Sequence, residues 1–94
     1  MAGKRVEILS LNLVGDGPES NYGIKGAKAN AVLSRLGEAE KLRKGGWIVT
    51  LREDLDLIPV PEIDGAFYIE RKSDGIHVGD RQPFGTTWID PDLL

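Results

Sequence analysis

The chain of 94 residues has no cysteine, a single histidine and few aromatic residues. Without cysteine it cannot form disulfides, a thiol nucleophile, an iron–sulfur cluster or a cysteine-based zinc site. One histidine excludes a multi-histidine metal site. No apolar run approaches the roughly 20 residues that a membrane-spanning helix needs, and Glu7 interrupts the short apolar stretch at the start, which makes a poor secretory signal. We therefore expect a cytoplasmic protein with no metal, no cofactor and no membrane partner.

The two halves of the chain carry net charges of opposite sign. Residues 1–47 carry eight Lys or Arg against five acids, whereas residues 48–94 carry four against ten, which leaves a net charge of −3. Such asymmetry can mark an interaction surface, but two ordinary solvated faces are the favoured explanation. With 40% hydrophobic residues, a chain of this length predicts a single domain over 1–94 with one modest core.

The first structured segment is a strand at residues 6–14, because apolar and polar residues alternate from Leu9 onward. Leu9 is expected on the same face as the leucines that follow it. Val6 and Ile8 fall on the other face, which further along carries the polar residues of this strand. This indicates either a strand that is covered on both sides at its start or a bulge.

A long glycine-rich loop is expected next, at residues 15–26, which hold four glycines and a proline. Apolar residues then recur at spacings of three and four, which predicts an amphipathic helix from about Ala27 to Lys44. The glycine pair after Lys44 suits the end of this helix. Gly37 lies inside it, at a cost of about 1 kcal/mol relative to alanine.

Residues 47–51 predict a second strand, since they are rich in aromatic and β-branched side chains. The segment 52–65 is acidic and then interrupted by two prolines, so we expect a loop. Ile58–Pro61 is expected to be extended but not part of a central strand, because proline cannot donate a ladder hydrogen bond.

The clearest local signal is a hairpin over residues 66–78, joined by the two-residue turn Asp74-Gly75. This turn places Lys72 opposite His77, and it places Tyr68, Glu70, Lys72 and His77 on the same polar face.

Residues 86–89 are a candidate short fifth strand, and residues 90–94 are expected to form a C-terminal tail. The predicted order is β-α-β-β-β. One amphipathic helix must then cover one face of a small, mainly antiparallel sheet, so the predicted fold class is a two-layer α+β domain.

No motif in the chain supports an enzyme. The glycine-rich segment matches neither the Walker nor the dinucleotide-binding pattern, and the acids after Asp54 do not continue as a calcium loop. No nucleophile elbow surrounds any serine, and His77 would have to act alone as a general acid or base. We expect no catalytic residues.

The leading hypothesis is a small protein-binding module, such as an inhibitor, an immunity-type protein, an adaptor or an assembly protein. Exposed aliphatic side chains on an extended backbone suit docking against a partner or addition to a sheet edge. The competing interpretation is that these residues pack in the protein's own core. The partner in the leading hypothesis can also be a second copy of the chain, which would make the protein a homodimer. The predicted interface residues are Leu57, Ile58, Val60, Ile63 and Trp88.

Two alternatives remain open. The first is single-stranded nucleic-acid binding by basic and aromatic residues on the polar sheet face, although the negative charge of the chain opposes it. The residues proposed for this face are Tyr68, Lys72, His77 and Trp47. The second alternative is a small phosphate-bearing ligand at the start of the helix, with Lys25 and Lys28 as the anion site.

Overall fold

A computed structural model describes residues 3–14, 24 and 26–94 of the chain. In this part the fold is α+β, as predicted, and contains one helix and eight strands. The elements in chain order are β1 (Arg5–Ile8), β2 (Ser10–Leu13), α1 (Gly26–Leu36), β3 (Gly37–Lys41), β4 (Trp47–Leu51), β5 (Leu55–Pro59), β6 (Phe67–Arg71), β7 (His77–Arg81) and β8 (Thr86–Ile89). Two short 3₁₀ turns cover Pro83–Gly85 and Pro91–Leu93.

The strands form two sheets rather than the single small sheet that the sequence predicted. The three-stranded sheet has the order β1-β4-β3 and is antiparallel throughout. The five-stranded sheet has the order β2-β8-β7-β6-β5, in which β2 is parallel to β8 and the other pairs are antiparallel. The predicted fifth strand at 86–89 is present as β8 and pairs with both β2 and β7.

Leu9 is the point at which the chain passes from one sheet to the other. It separates β1 from β2, and its side chain is 45% exposed. The expectation that it shares the buried face with the later leucines was therefore wrong. The alternation of buried residues shifts by one position after Ile8 because the chain changes sheets there. Ile8 is fully buried in the three-stranded sheet, and Leu11 is fully buried in the five-stranded sheet.

The helix ends at Leu36 rather than at Lys44 as predicted. Gly37 begins β3 and lies opposite Leu51, so close that a Cβ atom at residue 37 would overlap the carbonyl oxygen of Thr50. The residues after Leu36 have helical spacing, but they pair with β4 as a strand instead of continuing the helix. Most of them are exposed on β3.

One hydrophobic core joins the helix to both sheets. The helix contributes the buried stripe that its spacing predicted, at Ala29, Val32, Leu33 and Leu36. The three-stranded sheet contributes the alternating buried residues of β1 and β4, and the five-stranded sheet contributes one of its two faces. Burial of this stripe is what holds an eleven-residue helix, which would be marginal in isolation.

The predicted hairpin is present as β6 and β7, but its register is different. Glu70, and not Lys72, lies opposite His77, because the register shifts between Ile69 and Glu70. The shift leaves Val78 without a partner residue on β6, as in a β-bulge, and its side chain is fully buried.

The hairpin turn contains four residues, not two, since the Arg71 amide donates to the carbonyl of Ile76 at 2.8 Å. The Arg71 guanidinium binds the carboxylate of Asp74, with Nη2 and Oδ2 2.6 Å apart, and the Asp74 carboxylate also accepts from the Ile76 amide. These side-chain bonds stabilise the wider turn. Gly75 provides the positive φ of 73° that the turn requires.

Other expected loops are more ordered than the sequence indicated. The segment 52–65 contains β5, which is an edge strand, so its proline does not interrupt a central ladder. The tail at 90–94 forms a 3₁₀ turn, and Arg71 and Arg35 donate to the carbonyl oxygens of Leu93 and Leu94. Of the expected loop at 15–26, all but Ile24 and Gly26 lie outside the described residues.

Candidate functional site

The five-stranded sheet has one face in the core, and its other face is partly exposed on β5 to β8. On β2 the residue opposite Trp88 is Asn12, which is only 3% exposed. Ile58, Tyr68, Asp80 and Trp88 pair in register across four adjacent strands, and all four are partly exposed. Cross-strand partners share a face, so these residues form a row on what we call the outer face. The row beside it points into the core and consists of Leu57, Ile69, Gly79 and Ile89.

His77 lies on the outer face, since it pairs with Glu70, which is on the same face of β6 as Tyr68. Its ring stacks on Tyr68, with the ring centroids 4.2 Å apart and the planes inclined by 13°. Its Nε2 lies 3.2 Å from Oε2 of Glu70, the residue opposite it on β6. The stack and the carboxylate contact both orient the imidazole on the sheet.

A shallow depression of about 270 Å³ lies on the outer face. The aromatic residues Tyr68, His77 and Trp88 are among its lining residues, and Val14, which is 50% exposed, contributes at the end of β2. The backbone of Gly79 lies within the depression, and a side chain there would collide with Ile89 from the core row.

Two carboxylates also line the depression, those of Asp80 and Asp90. Asp80 accepts from the Gln82 side-chain amide at 3.2 Å, and Asp90 accepts from the Asp92 backbone amide at 3.0 Å. Neither carboxylate has an ion-pair partner among residues 3–14, 24 and 26–94. The depression therefore combines aromatic residues with negative charge that no described residue compensates.

The free edge of β5 beside this face is protected against strand addition at its centre. The Leu57 amide donates to its neighbour's carboxylate, Asp56 Oδ1, at 2.9 Å, while the Leu57 carbonyl accepts from Lys4 Nζ at 3.5 Å. Pro59 has no N–H to offer, and a lysine at a sheet edge is a common protection against strand pairing. Lys4 also lies 2.8 Å from Asp56, and this hydrogen bond, helped by the Leu57 amide, lowers the pKa of the Asp56 carboxyl.

The five predicted interface residues do not share one surface. Ile58 and Trp88 lie together on the outer face, while Leu57 is partly buried against the core. Val60 and Ile63 lie in the loop between β5 and β6, where Ile63 is 47% exposed.

The residues of the predicted nucleic-acid face are also divided. Tyr68 and His77 share the outer face, and Lys72 is exposed in the hairpin turn. Trp47 belongs to the core, where it is 9% exposed, and its indole Nε1 finds no acceptor among the described residues. A base cannot stack on it, so Trp47 does not belong in this set.

The predicted anion site falls largely outside the described part of the chain. Lys28 is exposed in the first turn of α1. Lys25 is not among the described residues.

Sequence reasoning missed Phe84, which is 90% exposed and has a φ of 70°. A bulky residue rarely adopts this conformation. The only signal in the sequence is its position between Pro83 and Gly85, a spacing typical of a tight turn. Among the described residues it is the most exposed large hydrophobic side chain.

Across the ranges 3–14 and 26–94 and at residue 24, no three His, Cys, Asp or Glu side chains are grouped so that they could hold a metal ion. In the same residues no helix has the length and apolar character to cross a membrane. Comparisons of the chain with protein-family models, with curated proteins and with solved structures found no match.

Proposed function

We propose that the protein is a non-enzymatic protein-binding module, of the inhibitor, immunity-type, adaptor or assembly kind, and that the outer face is its interface. The observation that carries the proposal is the row of Ile58, Tyr68 and Trp88, which are partly exposed on one face of the five-stranded sheet. Tyrosine and tryptophan are the residues that most often dominate the free energy of protein association.

The edge of β5 supports docking on this face rather than addition of a strand. Strand addition needs free N–H and C=O groups, and at β5 Lys4, Asp56 and Pro59 occupy or remove them. A partner is therefore expected to contact side chains of the outer face.

Single-stranded nucleic acid is the second candidate, because stacked aromatic residues on a sheet are a common platform for bases. Tyr68 and His77 provide such a stack. The carboxylates of Asp80 and Asp90 in the same depression oppose a phosphate backbone, which favours a protein partner. Quenching of tryptophan fluorescence by an oligonucleotide at low salt, lost in Tyr68→Ala, would favour the nucleic-acid function instead.

The test of the proposed function is capture of a partner from nuclease-treated host lysate by the tagged wild type and two matched variants. Ile58→Lys places a charge on the outer face, and Ile48→Lys places the same charge on the three-stranded sheet, where the opposing residues are Glu7 and Glu40. Both isoleucines are partly exposed.

We expect Ile58→Lys to lose a stoichiometric partner that the wild type and Ile48→Lys both retain, while thermal melting shows all three folded. Retention by Ile58→Lys, or equal loss by Ile48→Lys, would contradict the proposal. If the captured protein is a second copy of the chain, the interface is that of a homodimer.

A further inference from the structure

Building on the proposed function, we infer that the partner presents a basic segment, and that a lysine or arginine side chain of this segment occupies the depression on the outer face. The inference depends on the charge and the shape of this depression, which the partly exposed Trp88 and Tyr68 line together with Asp80 and Asp90.

The electrostatic argument concerns the two carboxylates. Both are partly buried, so their charges are screened less than those of fully exposed groups. Their hydrogen bonds come from a side-chain amide and a backbone amide, which leave the negative charges without a counter-charge in the described residues. A guanidinium or ammonium group would pair with them through charge-assisted hydrogen bonds.

The aromatic argument gives the same answer. The faces of tyrosine and tryptophan rings attract cations within about 6 Å, and residues of both kinds line the depression next to the carboxylates. An acidic or phosphate-bearing partner would meet repulsion at this point, and an apolar segment would leave the carboxylates desolvated and unpaired.

A two-dimensional amide NMR titration of the full chain tests this inference with a defined probe, a hexa-arginine peptide. We expect the largest shifts at residues of the depression, including Val14, Gly79 and Trp88. The double variant Asp80→Asn/Asp90→Asn keeps an oxygen acceptor at each position, and it is expected to bind about tenfold more weakly, the effect of losing one charge-assisted hydrogen bond.

A matched control removes the same amount of charge elsewhere. Glu38→Gln/Glu40→Gln changes two exposed carboxylates of β3 in the other sheet, and we expect the affinity for hexa-arginine to be unchanged. Equal weakening by the two double variants, shifts outside the depression, or tighter binding of hexaglutamate or of an oligonucleotide would overturn the inference.

The two proposals fail separately. If Ile58→Lys loses the captured partner but hexa-arginine does not bind in the depression, the basic segment is wrong and the interface stands. If capture does not depend on Ile58, the proposed function is wrong whatever the peptide does.

Discussion

Phe84 combines an unfavourable backbone conformation with high exposure in the described part of the chain. At a φ of 70° its Cβ approaches the backbone closely, which costs about 1–2 kcal/mol in a residue other than glycine. The side chain is 90% exposed, so little burial compensates this cost. Strain at an exposed aromatic residue therefore lowers the stability of the free protein.

We predict that Phe84→Gly raises the free energy of unfolding by about 1 kcal/mol, because glycine adopts positive φ without the steric cost. Chemical denaturation of the two proteins measures the difference. Ile63→Gly is the control, since Ile63 is also exposed but is not among the residues with positive φ, and it should bring no gain. A loss of stability in Phe84→Gly would mean that the ring packs on the surface.

Asp74 is the residue whose ionisation is most directly tied to the hairpin turn. The hydrogen bond from Arg71, with a further one from the Ile76 amide, lowers the pKa of the Asp74 carboxyl. A folded-state pKa below the unfolded value means that Asp74 stabilises the protein above about pH 4. This stabilisation is lost as the pH falls through the lower folded-state pKa.

Asp74→Asn should therefore lower the free energy of unfolding at neutral pH, and the difference from wild type should shrink as the pH falls from about 7 to about 3. Thermal or chemical denaturation at several pH values checks this prediction. Asp64→Asn removes an exposed carboxylate for which the described residues provide no ion-pair partner, and its effect should stay small throughout. A difference for Asp74→Asn that does not change with pH would contradict the assignment.

At the scale of elements, periodicity predicted which residues are buried better than it predicted where elements end. The stripe from Ala29 to Leu36 is buried as its spacing requires. The same spacing continues into Ala39 and Leu42, and nothing local to these residues shows that β4 competes for them. The deciding contact, Gly37 against Thr50, joins residues on two elements and is visible only in the fold.

Gly37→Ala distinguishes a helix that continues through residue 37 from one that ends at Leu36. The two predict opposite signs for the change in the free energy of unfolding. If the helix continued through residue 37, alanine would stabilise it by about 1 kcal/mol. In the observed fold the added Cβ meets the Thr50 carbonyl oxygen, so we predict a loss of about 1–3 kcal/mol from overpacking. Equilibrium denaturation measures the sign, and any stabilisation would contradict the observed end of α1.

The register of the hairpin is testable in the same way, through the Tyr68–His77 stack. A double-mutant cycle with Tyr68→Ala and His77→Ala should give a coupling energy of about 0.5–1 kcal/mol, as stacked aromatic pairs do. The two-residue turn that the sequence favoured would place Lys72, not Tyr68, beside His77. A cycle with Lys72→Ala and His77→Ala should therefore be additive, and the reverse pattern of couplings would contradict the bulge.

At the scale of the whole molecule, the charge asymmetry of the sequence becomes a spatial one. The acidic half of the chain builds β5 to β8, which are four of the five strands behind the outer face. The helix and β3 come from the more basic half. Fields of this kind steer association with oppositely charged partners and weaken as ionic strength rises.

The sequence predicted several members of the candidate site but not their assembly. Ile58 and Trp88 were assigned to one hypothesis and Tyr68 and His77 to another, yet all four lie on one face. The alternation of residues within a strand shows which residues of that strand share a face. It does not show which faces of different strands lie on the same side of the sheet. The order of strands in the sheet decides which faces coincide. The hairpin pattern placed His77 on the face of Tyr68, but only the bulge at Val78 brings Asp80 onto that face as well.

The most direct test of the central claim is photo-crosslinking from the outer face in host lysate. A photoreactive phenylalanine derivative replaces Trp88 in one protein and Glu38, on the exposed strand β3, in another. We predict one protein adduct from position 88 only, attached through a peptide that contains lysine or arginine. Equal adducts from both positions, or none from position 88, would contradict the claim that the outer face of the five-stranded sheet is the interface.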